Sequence, residues 1–401
     1  MAGEAQSVEV AVVGGGPAGL TAAIALASAG VATALVARRA SPDNRTTALL
    51  SGSVAALETL EVWPLCAAQS APLGAIRLID DTARLIRAPE VLFEASEIGL
   101  SAFGHNIENR HLIAALERRA AGLSSLRRID AGAIAIEIGE ERVVVRLDGG
   151  AAVEARLVVG ADGRNSLCRA AAGIETARRA YPQAALTLNI GHGRPHRDIS
   201  TEFHTESGPF TLVPLPGGRS SVVCVTEPVE AERLAALDDD ALSAELERRA
   251  HSILGKITVA AGRGMFPLGA ETAQSFATRR IALVGEAAHV MPPIGAQGLN
   301  LGLRDAATIG ELVVEAHRRG HDIGAPDLLA RYDRLRRLDV ASRTVAVDLL
   351  NRSLLSDFLP VQSARGLGLY LIDRIGPLRH ALMREGVEPA AQPRLMRGEA
   401  L

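Results

Sequence analysis

Six residues near the N-terminus, Gly14-Gly15-Gly16-Pro17-Ala18-Gly19, have the G-x-G-x-x-G spacing that grips the pyrophosphate of a dinucleotide. Gly14 permits a tight turn, Gly16 removes a side chain where backbone meets phosphate, and Gly19 lets a helix pack close to a strand. Pro17 and Ala18 open that helix, whose unpaired N–H groups and positive dipole end suit an anion. The flanks agree with this reading. Residues 9–13 are a short apolar strand, residues 20–29 a helix without a breaker that stops at Gly30, and residues 32–36 a second buried strand. The acid that holds an adenosine ribose, about 20 residues further on, is missing. Ala37 stands there, followed by Arg38, which would stack on the adenine or touch the ribose. An arginine here also suits a 2′-phosphate, so the turn alone leaves the dinucleotide open.

Two more loops follow apolar strands. Val158-Val159-Gly160-Ala161-Asp162-Gly163-Arg164 is the first. The second is Leu283-Val284-Gly285-Glu286-Ala287-Ala288-His289, continuing through Pro292-Pro293-Ile294-Gly295-Ala296-Gln297-Gly298-Leu299-Asn300 to Leu303-Arg304-Asp305. Gly298-Leu299-Asn300 begins a helix, which presents N–H groups to an electron-rich edge.

The elements that position these loops fall into two textures. Further helices are expected over 48–60, 108–121 and 301–318, with a hairpin at 142–147 and 152–159 leading into a buried strand. From about residue 186 to 225, short β-type runs split by Gly and Pro suggest an antiparallel sheet inserted into the first domain. The chain beyond residue 326 reads as helices with a polar end near Pro393.

Together the three loops resemble the three fingerprints of the FAD-dependent aromatic hydroxylases of the p-hydroxybenzoate hydroxylase type. Within that class the chain is most similar to the ubiquinone-biosynthesis hydroxylase family. Arg45-Thr46-Thr47-Ala48-Leu49, Asn109-Arg110, the run from Ala287 to Asp305 and the helical tail carry the likeness. The resemblance implies an α/β fold: a discontinuous Rossmann-like FAD-binding domain (1–75, 98–178, 275–325), an inserted antiparallel-sheet substrate domain (76–97, 179–274) and a helical C-terminal region (326–401). It also implies a monooxygenase using FAD, NAD(P)H and O2, acting on an aromatic ring through a flavin C4a-hydroperoxide. A prenylated phenol is the expected substrate.

The resemblance assigns roles to residues as well. Arg45, Thr46 and Arg110 would contact FAD, Arg110 at a phosphate. Asp162 with Gly163 would bond the pyrophosphate region or brace its loop, and Arg164 would lie near NAD(P)H. Gly285 and Glu286 would meet a ribityl hydroxyl, although the family's usual residue there is Asp. Pro293, Gly295, Gly298, Leu299 and Asn300 would form the loop and helix start against the isoalloxazine. The bland alternatives are a turn residue for Asp162, a solvated cap for Glu286 and surface positions for Arg110 and Arg164. His289 reads as a structural histidine more readily than as a proton carrier. Phe203, Phe210, Leu212, Val213 and Pro214 are candidates for an apolar pocket over the flavin, with core packing as the alternative.

Composition excludes other classes. Net charge is −3 and aromatics are 3%, so neither a basic field nor a stacking surface for nucleic acid exists. Cys66, Cys168 and Cys224 form no metal-ligand spacing and read as reduced thiols of a cytoplasmic protein. No G-x-S-x-G and no second dinucleotide turn is present. No apolar run is long enough to span a bilayer. In the tail from Arg331, arginines outnumber acids, and Val345, Leu349, Leu350, Leu354 and Phe358 are apolar at helical spacing. That pattern suits peripheral contact with the inner membrane surface, a tunnel wall or an ordinary packing helix. Association with other ubiquinone-biosynthesis proteins is a further expectation. A hydroxylase of a small soluble aromatic, another FAD-dependent oxidoreductase and a non-enzymatic FAD-binding subunit stay open.

Overall fold

A computed structural model of the chain describes residues 6–39, 43, 45–83, 87–293, 295–355, 374–389 and 391–401. Five strands run parallel in the order Ile281–Leu283, Ala152–Gly160, Gln6–Val13, Thr33–Val36, Leu126–Ile129. The near-continuous apolar runs in the central strands match burial on both faces of such a sheet. The antiparallel strands Ala133–Ile138 and Val143–Leu147 extend it beside Ala152–Gly160. Helix Pro17–Ser28 is apolar on all sides and buried from Gly19 to Ala27, because the sheet covers one side and helix Gln297–Arg318 another.

A nine-stranded sheet forms the second layer system. Its order is Val91–Glu94, Ala75–Asp80, Ile199–Thr205, Gly208–Leu215, Arg219–Thr226, Thr176–His192, Gly264–Ala273, His289–Val290, with Ile257–Val259 also on Thr176–His192. All its pairings are antiparallel except Ala75–Asp80 with Ile199–Thr205. Helices Pro228–Ala236 and Asp239–Arg249 cover one face, where Leu234, Leu242 and Leu246 meet Leu186, Leu188 and Val222. The fold is thus α/β, with a Rossmann-like domain, an inserted and mainly antiparallel sheet and a helical C-terminal region.

Three local expectations need correction. Residues 48–50 are strand, not helix: Thr46–Leu50 pairs with Gly104–Glu108, and the helix is Ser51–Thr59. The β-branched Thr46 and Thr47 favour the pleated partner surface that only the fold supplies. The short runs near residue 186 belong to one 17-residue strand, Thr176–His192, with a register shift between Ala180 and Ala184. The end near Pro393 is not wholly polar. Its turn Arg394–Arg397 buries Leu395 and Met396 beside helix Ser51–Thr59.

Among the described residues no helix is long and apolar enough to cross a membrane. No group of three or more potential metal ligands occurs among them either.

Candidate cofactor site

The glycine turn lies where the first strand leaves the sheet. Gly14 has φ +119°, and a Cβ there would sit 2.1 Å from the Ala161 carbonyl oxygen. A Cβ on Gly19 would sit 2.1 Å from the Gly14 carbonyl oxygen. These two glycines are required by backbone against backbone. Gly16 is different: a Cβ on it would meet nothing within 4 Å. The space above Gly16 is therefore open, and no side chain caps the helix that starts beside it. An open approach to uncapped N–H groups is what a pyrophosphate needs.

The second loop packs under the first. Asp162 accepts from the Ser166 hydroxyl and from the Cys168 backbone N–H at 3.0 Å. Of its two expected roles, bracing the loop is the one its side chain performs. Gly163 sits at φ +81° in the same turn. Arg164 is half-exposed and lies 3.4 Å from Glu271, a buried carboxylate that Arg169 and Arg178 also approach.

At the position of the missing acid, Ala37 is buried and its carbonyl accepts from Arg128. Arg38 is largely exposed and forks onto Asp148, with Nε to Oδ2 at 2.9 Å. Sequence reasoning missed Arg128. No local signal marks it, because only the parallel pairing of Thr33–Val36 with Leu126–Ile129 brings it to this rim.

Arg45 is held by both oxygens of Asp43, at 2.9 and 3.0 Å. That hydrogen bond is the main support of its charge, and Glu286 adds to it from the neighbouring loop. Thr46 begins the adjacent strand and is partly buried. Asn109 donates to Asp43, while Arg110 donates to Glu108 at 3.1 Å. Glu286 is exposed on the turn after Ile281–Leu283. Its neighbour Gly285 donates its N–H to Asp305 at 2.9 Å.

Helix Gln297–Arg318 starts after Ala296 at φ 53°, again with no side-chain cap. Gly295 and Gly298 are exposed there, and Pro293 and Leu299 are partly buried. Asn300 is a different case. Its Oδ1 accepts from the Leu50 N–H (2.9 Å) and Ser53 Oγ (2.7 Å), and its Nδ2 donates to Ala48 O (2.8 Å) and Ala296 O (2.6 Å). The side chain is committed to the protein, so it acts on this site by pinning the helix start to the Thr46–Leu50 corner. Asn300→Ala should cost about 2–3 kcal/mol, since four groups, one on buried Ser53 and three on partly buried residues, lose their partner. Thermal unfolding of the FAD-free protein measures this.

His289 is fully buried, 2.7 Å from Asp305 and stacked on Phe276. Asp305 also accepts from Arg336 Nε at 2.6 Å. This network supports the structural reading of His289. Asp305 lies 16 positions beyond His289 and Arg336 a further 31 beyond Asp305, so no local pattern marks the cluster.

The apolar pocket candidates separate by strand parity. Phe203, Phe210 and Leu212 lie in the core beneath the two helices, not over the cofactor loops. Side chains alternate faces along a strand, so Val213 is on the other face, half-buried. Pro214 is buried, and its carbonyl accepts from Asn106 at 2.9 Å. The pocket reading is therefore corrected for the two phenylalanines and Leu212.

FAD fits the residues present. The open approach over Gly16 suits the pyrophosphate, exposed Glu286 beside Arg45 offers an acceptor for a ribityl hydroxyl, and the uncapped start at Gln297 offers N–H groups to an electron-rich ring edge. A Rossmann-like sheet with these three loops defines an FAD-binding α/β protein. The comparisons agree. The family model described as FAD binding domain matches residues 7–348. A ubiquinone hydroxylase, UbiL, of Rhodospirillum rubrum is 37% identical over 98% of this chain and 93% of its own length. The 3-demethoxyubiquinol 3-hydroxylase of Escherichia coli is 30% identical over 94% of this chain and 98% of its own. The crystal structure of p-nitrophenol 4-monooxygenase PnpA from Pseudomonas putida superposes with TM-score 0.79 at 18% identity, covering 96% of this chain and all of that one; it shows the shared fold. The chain belongs to the FAD binding domain family, among the FAD-dependent aromatic hydroxylases of the ubiquinone-hydroxylase kind. It is an FAD-dependent monooxygenase.

Proposed function

We propose that the protein uses NAD(P)H and O2 to hydroxylate the aromatic ring of a polyprenyl phenol in ubiquinone biosynthesis. The uncapped start of helix Gln297–Arg318, held beside the exposed Glu286 loop, is the observation that carries the reading. When bound, FAD supplies hydride acceptance and oxygen activation. The chain's own part is to hold and orient. Gly14, Gly16, Pro17, Ala18 and Gly19 would seat the pyrophosphate, with Arg38 and Arg128 at the adenosine end. Arg45, Thr46 and Glu286 would line the ribityl stretch with Arg110 at a phosphate, and Asp162 with Gly163 would hold the loop beneath. Pro293, Gly295, Gly298 and Leu299 would meet the ring. Fixed N–H dipoles at that edge favour negative charge without reorganising.

The substrate would approach the sheet face opposite the two helices. Val213 lies there in register with Ser221 and Asn189, next to Val223 and Thr187. The division into 1–75, 98–178 and 275–325, 76–97 and 179–274, and 326–401 is the domain reading we keep. Peripheral contact with a membrane has a specific support. Leu335, Leu338, Val345 and Leu349 on helix Pro326–Leu355, and Ile375, Leu378 and Leu382 at helix Gly376–Val387, are exposed. The side chains of Leu350 and Leu354, and all of Phe358, lie outside the described residues.

Substrate-stimulated NAD(P)H oxidation, with oxygen uptake and a product heavier by one oxygen atom, is the expected result with a prenylated phenol. Oxygen uptake that yields only peroxide with every phenol tried would sink the reading. Faster product formation from a small soluble phenol than from any prenylated one would favour the alternative substrate class.

A further inference from the structure

Ala296 adopts φ 53°, the left-handed region that a residue with a Cβ avoids, directly before the helix start that would face the flavin. Such a conformation persists only where its surroundings over-determine it. Three side chains do so. Asn300 Nδ2 donates to the Ala296 carbonyl at 2.6 Å, and Gln297 Nε2 donates to the Gly295 carbonyl at 3.0 Å. The third is Arg343, on the C-terminal helix Pro326–Leu355, whose Nη1 donates to Gln297 Oε1 at 3.3 Å. The Gln297 amide is thus gripped at both ends, which leaves the helix start without a side-chain cap.

Arg343 is well placed to hold that amide still. Its side chain is 12% exposed, and its Nε donates to Asp339 at 3.2 Å. Asp339 also takes Arg336 at 2.6 Å and Arg304 at 3.2 Å. The helix has anchors of its own. The Tyr332 hydroxyl donates to the Leu283 carbonyl at 2.7 Å, Arg336 donates to Asp305, and Asp348 pairs with Arg179 at 2.9 Å. Losing Arg343 should therefore leave the helix in place while freeing Gln297.

We propose that Arg343 is a positioning residue for the flavin's pyrimidine edge, acting through Gln297 on the glycine loop at Gly295. The inference rests on the assignment of FAD to this site. A guanidinium on Gln297 Oε1 fixes the loop and adds positive charge near the N–H groups, and both effects favour a negatively charged ring edge over a neutral one. A freed Gln297 amide would be able to swing onto the helix N–H groups and compete with the flavin for them.

The test compares wild type, Arg343→Gln, Arg343→Lys and Arg337→Gln. The last removes an arginine that is 55% exposed on the same helix. FAD is titrated into each FAD-stripped protein, and the midpoint potential of the bound flavin is measured. Arg343→Gln should weaken FAD binding about tenfold, one hydrogen-bonded charge's worth of coupling, and shift the potential to more negative values. Arg343→Lys, which keeps the charge without the planar fork, should recover part of both. Arg337→Gln should match wild type. A purely structural role for Arg343 would lower the melting temperature but leave the potential of the bound flavin unchanged, and that outcome overturns the proposal. So does an Arg343→Gln affinity and potential equal to wild type. A wild-type protein that takes up no FAD would instead overturn the cofactor assignment.

Discussion

Gly14→Ala should abolish FAD retention and destabilise the protein, whereas Gly16→Ala should abolish FAD retention alone. The contrast follows from what each new methyl would meet. At Gly14 it would lie 2.1 Å from the Ala161 carbonyl oxygen, at a φ of +119° that L residues rarely adopt. The obstacle is backbone at the junction of two central strands, so no side chain can turn aside. Overpacking together with forced left-handed geometry should cost about 3 kcal/mol or more. At Gly16 the methyl meets nothing within 4 Å. The fold should tolerate it, but it occupies the space through which a pyrophosphate would reach the N–H groups. Thermal unfolding without FAD and flavin absorbance after desalting separate the two effects. A Gly16→Ala protein that keeps FAD as wild type does would move the pyrophosphate away from this turn.

Asp305→Asn should be the second most damaging of these changes, and its cost should depend on pH. Asp305 is fully buried and serves three partners: Arg336, His289 and the Gly285 N–H. Burial alone would raise its pKa. The neighbouring His289 and Arg336, with the hydrogen bonds from His289 and Gly285, outweigh burial and hold the carboxyl below its ordinary value. Removing the charge leaves the buried Arg336 with Asp339 but without its Asp305 partner, at a cost toward the lower end of about 3–5 kcal/mol. The sign of the pH effect follows from linkage. A carboxyl depressed in the native state contributes stability above its unfolded pKa of about 4, and the contribution is lost as pH falls through the native value. The gap between wild type and Asp305→Asn should be widest near neutral pH and should narrow on acidification below about pH 4. Urea unfolding at a series of pH values checks this; a gap that stays constant or widens in acid would show that Asp305 is not the stabilising anion. Because the same carboxylate holds Gly285, Asp305→Asn should also loosen FAD.

What was readable in the chain was local. The G-x-G-x-x-G spacing, the apolar strand before it and the breaker-free helix after it are contiguous, so periodicity and glycine chemistry sufficed to find the turn. The order of the three loops pointed to FAD, and the family match over residues 7–348 agrees. The inserted sheet announced itself by short β-type runs split by Gly and Pro.

Other features depended on partners remote in sequence. Phe203 and Phe210 looked like pocket residues because they are large and apolar, but the face they occupy was set when helices Pro228–Ala236 and Asp239–Arg249 docked on the sheet. Asn300 looked like a flavin contact until its four partners, three of them about 250 positions away, came into view. Arg128 reached the Ala37 carbonyl through a parallel strand pair whose partner lies 93 positions earlier, Leu35 beside Arg128.

The exposed loop at Glu286, the strain at Ala296 and the arm of Arg343 belong to the same group. The sequence by itself determined a G-x-G-x-x-G turn between a strand and a helix, because that turn resides in contiguous backbone geometry, and the resemblance carried by three separated loops pointed to FAD. Only the tertiary structure decided which side chains brace the site and which remain free to meet the cofactor, because hydrogen-bond satisfaction and sheet facing depend on groups brought together by folding.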